Sequence, residues 1–110
     1  MNGEGDFLVA LMTAPNREEA RRIAEALVVE GLAACCTLID GTESIYRWNG
    51  AVERATETLV VIKTDRERFG RLRDRVLELH PYDVPELIAM PIVAGSDQYL
   101  QWLGESLAPL

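Results

Sequence analysis

Five side chains are of types that do chemistry: Cys35, Lys63, His80, Tyr82 and Glu86. His80 is the sole histidine, and the following Pro81 holds it extended where a helix should end. There it can be a metal ligand or a partner of the helix dipole, and its position allows both. Lys63 is the only lysine and closes an apolar run. It reads either as a buried ammonium with a lowered pKa or as a charge that guards a strand edge. Cys35, His80 and Glu86 could form a nucleophile, a base and an orienter. However, no glycine-rich oxyanion loop or nucleophile elbow accompanies them, and Cys35 beside Ala34 suits a small buried hydrophobe. No residue is therefore assigned a catalytic role, and the chain is not expected to be an enzyme. Cys-x-x-Cys, His-x-x-x-His and calcium-loop patterns are missing too, so one chain offers no dedicated metal cage.

Charge narrows the partners. The formal net charge of −7 repels nucleic acid and acidic membranes on average. The arginines at 66, 68, 71, 73 and 75 are answered by Asp65, Glu67, Asp74 and Glu78, which makes a solvated, ion-paired helix face rather than a nucleic-acid stripe. The apolar runs Phe7 to Met12 and Leu87 to Ala94 fall far short of the roughly 20 residues that cross a bilayer. Residues 1–6 carry Glu4 and Asp6 without a basic start, which reads as a flexible tail and points to the cytoplasm. The adjacent Cys35 and Cys36 point to opposite sides of a strand and suit a reducing compartment. At 110 residues, the chain is expected to form a single domain.

The elements that must carry these residues follow from periodicity and caps. Asn16 with Glu19 resembles a capping box, the apolar positions 20, 23, 24, 27 and 28 repeat at helical spacing, and Gly31 ends them. A helix is predicted over 16–30. Thr64 with Glu67 offers a second capping box for a helix over 65–79, stopped by Pro81. A short helix should follow Ser96 and Asp97, with Tyr99, Leu100, Leu103 and Leu107 supplying its apolar positions and a fraying tail. Strands are predicted over 7–13, 33–48, 51–64 and 86–93. Asn49-Gly50 is a strong hairpin signal, since a type I′ turn needs positive φ at both positions. Trp48 should then pair with Ala51 and Tyr46 with Glu53. Cys36 meets Lys63 unless a bulge near Gly41 shifts the register by one. The order β-α-β-β-α-β plus a final helix is the α+β, ferredoxin-like split arrangement.

Two main helices cover one face of a four-stranded sheet, yet the strands at 7–12, 59–62 and 87–90 are apolar on both faces. At ~25 cal/mol per Å² of apolar surface, leaving that second face wet forgoes many kcal/mol. A second copy of the chain is the simplest cover. The hairpin arms are also too long and polar at 42–56 to own a core, so Tyr46 and Trp48 should anchor on a partner subunit. Between subunits, Cys35, Lys63, His80, Tyr82 and Glu86 could line one cleft for a small anion or metabolite.

The segments Thr13-Ala14-Pro15, Leu32-Ala33-Ala34-Cys35, Ser44 to Gly50, Ile62-Lys63-Thr64, His80 to Glu86 and Tyr99 to Trp102 resemble the CutA family of divalent-cation tolerance proteins. The resemblance runs over about residues 7 to 107. It implies a ferredoxin-like homotrimer, similar to PII-type signalling trimers, that is associated with copper and other divalent metals. It also implies metal ligands at Met12 and His80, the positions before Thr-Ala-Pro and Pro-Tyr. Methionine suits Cu(I), and Leu79 offers no donor, so that set is sparse.

Overall fold

The computed structural model describes residues 6–107 and 109. The elements run β1 Phe7–Ala14, α1 Arg17–Val29, β2 Cys35–Trp48, β3 Ala51–Asp65, α2 Arg66–Leu79, β4 Leu87–Pro91 and α3 Asp97–Glu105. The sheet order is β2-β3-β1-β4 with every neighbouring pair antiparallel, which is the ferredoxin-like arrangement. The flexible tail expected at 1–6 falls mainly on residues outside the described ones, as does most of the fraying end after Leu107.

Local chemistry explains the boundaries. Asn16 caps α1 by accepting the Glu19 amide at 2.9 Å, and Gly31 takes φ +73° where the helix turns out. The cap of α2 is Asp65 rather than Thr64. Because β3 continues until Asp65 faces Phe7, Asp65 is the first side chain free to receive the Arg68 amide, at 2.9 Å. Its other oxygen takes the Arg68 guanidinium at 2.6 Å. Thr64 instead donates its hydroxyl to the Leu32 carbonyl at 2.7 Å. β4 ends sooner than expected, at Pro91, although the Ile92 amide beyond it still donates to the Phe7 carbonyl at 2.9 Å.

One face of the sheet meets α1 and α2. Ala10, Met12 and Ala14 of β1 and Val60 and Ile62 of β3 pack there against Ile23, Leu27, Leu72 and Val76, all fully enclosed. A smaller cluster joins Phe7 and Ala34 to Leu100, Leu103 and Leu107 at α3. Tyr99, on the same short helix, is 42% exposed. Residues paired directly across the ladders share a face. The second face therefore carries Cys35, Thr37 and Ile39 of β2; Leu59, Val61 and Lys63 of β3; Val9, Leu11 and Thr13 of β1; and Ile88 and Met90 of β4. Ile39, Ile88 and Met90 are exposed there, as the apolar strands foretold.

The hairpin leaves the body through a neck. Its tip pairs Trp48 with Ala51 and Tyr46 with Glu53, and Asn49 and Gly50 take φ +50° and +79° as a type I′ turn requires. Between Ile39 and Thr42 the register shifts, so Cys35 rather than Cys36 meets Lys63. Gly41 sits in the shift at φ +71°, the left-handed conformation that an added glycine-type bulge uses. The extra residue places Thr42, Ser44, Tyr46 and Trp48 on the same face as Cys35 and Ile39.

Candidate functional site

The open face brings the candidate residues to two opposite ends. At one end, the Lys63 ammonium lies 3.9 Å from Cys35 Sγ, and the Tyr99 hydroxyl lies 3.6 Å from the same sulfur. That contact with the thiol raises the Tyr99 pKa. Cys36, on the helix-covered face, is pushed up to about 12, first by burial and then by the neighbouring Cys35, so its thiol stays protonated at neutral pH.

His80 stands at the other end, as the C-terminal cap of α2, with φ −75° and ψ 136°, the extended form imposed before proline. It is buried. Its Nε2 lies 2.7 Å from the Thr13 carbonyl oxygen, and its Nδ1 lies 3.1 Å from the Tyr82 amide nitrogen. A carbonyl can only accept and an amide N–H can only donate, so the ring is the neutral Nε2–H tautomer with its lone pair on Nδ1. The cation that meets the last carbonyls of α2 is Arg22 of α1, which donates to the Leu79 carbonyl at 2.6 Å.

Tyr82 continues from that point. Its ring stacks tilted on His80 with centroids 4.8 Å apart, and its hydroxyl donates to Glu57 Oε2 at 2.8 Å. Burial and the Glu57 carboxylate push the Tyr82 phenol up to about 12. Beyond it opens a cavity of about 590 Å³, lined among others by Tyr46, Trp48, Glu57, Tyr82 and Glu86. Tyr46 and Trp48, named as partner anchors, are therefore also walls of a depression in their own chain.

The structure thus unites His80, Tyr82 and Glu86 and separates them from Cys35 and Lys63. Cys35 shares the Val9 row of the sheet and His80 the Thr13 row, four residues or about 13 Å along β1. Within one chain a Cys35–His80 dyad does not form. Met12 is fully enclosed in the helix-side core, and both His80 nitrogens are engaged. Among the described residues no three histidine, cysteine, aspartate or glutamate side chains gather as a metal cage. Met12 and His80 as they stand present no open coordination position.

Glu57 escaped the reading of the sequence. The signal was there in the alternation, since 59, 61 and 63 share the open face and Glu57 places a carboxylate in the same row.

Comparison with known proteins locates this geometry. A family profile described as "CutA1 divalent ion tolerance protein" matches residues 8–106. A Thermus thermophilus protein named "Divalent-cation tolerance protein CutA" is 50% identical over 98 residues, covering 89% of this chain and 95% of that protein. "Protein CutA, chloroplastic" of Arabidopsis thaliana is 46% identical over 99 residues, 90% of this chain but about half (54%) of the plant protein. The solved structure of CutA1 from Oryza sativa superposes with a TM-score of 0.92 at 41% identity, covering 94% of each chain.

Proposed function

The chain belongs to the CutA1 divalent ion tolerance family, and from that premise we propose that it works as a homotrimeric divalent-cation tolerance protein. In this reading it binds copper or another divalent metal ion and responds to metal without catalysing a reaction. The observation that carries the proposal is the uninterrupted family match over 8–106. Two features of the chain support it. The bare apolar face and the unsupported hairpin need a second copy to cover them, and three copies is the number that the resemblance implies. The Thr13 carbonyl also fixes His80 as metal-binding histidines are fixed, by a hydrogen bond on the ring nitrogen away from the ion. Nδ1 is then the donor, reached when an ion takes the place of the Tyr82 amide. Met12 is a weaker partner, because its sulfur is enclosed and favours Cu(I).

The unbridged Cys35 and Cys36 suit the reducing cytoplasm, where we place the protein. No described helix is long and apolar enough to cross a membrane, and the net charge of −7 favours metal cations over nucleic acid. The separation of Cys35 from His80 favours a binding role over a catalytic one.

Titration of purified, tag-free protein with Cu(II) and Zn(II) tests the metal reading. Saturable micromolar binding that disappears in His80→Ala is expected, whereas no binding by the wild-type protein overturns it. Sedimentation at low micromolar concentration tests the assembly, and a stable, compact single chain removes it.

A further inference from the structure

Pro81 has no N–H, so the helical hydrogen bonds of α2 cannot continue past His80, whose own amide closes the series on the Val76 carbonyl at 2.8 Å. The last turn of α2 holds no basic residue to meet its remaining carbonyls. Arg22 fills that place from α1. Its Nη2 donates to the Leu79 carbonyl and to Glu19 Oε2, each at 2.6 Å.

The Leu79 carbonyl and the His80 N–H are the two ends of one planar peptide unit. Val76 takes the N–H end and Arg22 grips the C=O end, so the plane from which the His80 side chain departs is set from both sides. Beyond it, the Thr13 carbonyl and the Tyr82 amide hold the two ring nitrogens. The guanidinium is itself positioned, since Glu19 lies in the first turn of α1 and its amide is tied to the Asn16 cap at 2.9 Å. One stretch of chain, Thr13 to Arg22, therefore reaches His80 twice, at the ring and at the backbone. All of these bonds are made within the chain, and Arg22 belongs to the helix layer rather than to the face left for a neighbouring copy.

We propose that Arg22 is the positioning residue of His80: by gripping the Leu79 carbonyl it keeps the imidazole in the single Nε2–H form, with the Nδ1 lone pair presented in one direction. It rests on the reading of His80 as the metal donor, and adds to that reading a residue that cannot itself bind a cation. Outer partners of metal-binding histidines change affinity by about 10- to 100-fold. The Arg22 side chain is 46% exposed, so water competes for the Leu79 carbonyl and the lower end of that range applies. The sign of the effect is diagnostic. A guanidinium acting only through its charge repels a metal cation, and its removal tightens binding, whereas removal of a positioning group weakens it.

The test uses the full-length protein in its native assembly and begins without metal. His80 is the sole histidine, so long-range nitrogen–proton NMR of imidazole signals reads one residue. The wild-type protein is expected to show one set of ring signals, that of the Nε2–H tautomer, and Arg22→Met a shifted or mixed set. Calorimetric titration with Zn(II) should show about tenfold weaker binding in Arg22→Met. Arg22→Lys keeps a donor for the Leu79 carbonyl and should recover most of both readouts. Arg21→Met, at the exposed arginine next to it, removes an equal charge and should leave the ring signals unchanged and zinc binding no weaker. Wild-type ring signals in Arg22→Met overturn the proposal, as does a zinc affinity in that variant equal to or tighter than that of the wild type. A wild-type protein that binds no zinc overturns the metal reading instead, and the ring signals of Arg22→Met then decide the role of Arg22 by themselves.

Discussion

The root and the tip of the β2–β3 hairpin are one continuous ladder with opposite surroundings. At the root, Val60 and Ile62 are fully enclosed by α1 and α2. At the tip, Ile45, Trp48 and Val52 are each more than half exposed. Backbone pairing is complete in both, so hydrogen bonds alone do not distinguish them. The root is held by apolar area buried within the chain. The tip has only its turn and cross-strand pairs, which by themselves give marginal stability in water. The difference teaches that the fold is self-sufficient as far as the neck and depends on something outside the chain beyond it.

Substitutions on either side of the neck sharpen that contrast. The largest effect is expected from Ile62→Ala, where the cavity left in an enclosed site should cost about 2–5 kcal/mol in chemical denaturation. Trp48→Ala should act on association instead. Sedimentation should shift toward the 12.3 kDa single chain, with an association loss of about 2 kcal/mol or more, as for buried aromatic anchors, and an unchanged circular dichroism spectrum. A tip that behaved like the root, losing secondary structure in Trp48→Ala, would break the comparison. Gly41→Ala comes next. Nothing lies within 4 Å of an added Cβ, so only the φ of +71° opposes it, at about 1 kcal/mol.

The smallest effect is on pH dependence. Tyr82 has its pKa raised to about 12 from an ordinary value of 10, chiefly by burial and then by its bond to Glu57. A raised value means that the folded state keeps the proton longer than the unfolded chain. The resulting stabilisation is complete below pH 10 and is lost as pH rises from about 10 to about 12. Ultraviolet phenolate titration should show late-titrating signal from Tyr82 and Tyr99, and Tyr82→Phe should remove the part centred at about 12.

Much of this was legible in the residues. Asn49-Gly50 announced the turn because few residues accept positive φ twice in succession, and Asn16 announced α1 because its side chain has one obvious amide to accept. The cap of α2 was harder, since Thr64 and Asp65 are both capping types and only the length of β3 selects between them. The functional end was the least legible. Cys35 and His80 are compatible as chemical partners, but the strand register, which depends on pairing with β1, holds them apart. Glu57 drew no notice in the sequence, and only the fold brings the Tyr82 hydroxyl onto it.

The bulge at Gly41 carries a counting rule for the arms above it. Since side chains alternate with every step, the single extra residue is what turns Tyr46 and Trp48 toward the Ile39 side. Flattening the bulge with both of its residues kept would present Ile45 and Arg47 where the rings had been, whereas deleting one of them would restore plain alternation and leave Tyr46 and Trp48 facing as they do. Matched additions of two residues to each arm would keep the facing intact. Matched odd and even changes of the two arms above the bulge are therefore different kinds of mutation, one a reversal of the hairpin's outlook and the other only an adjustment of its reach.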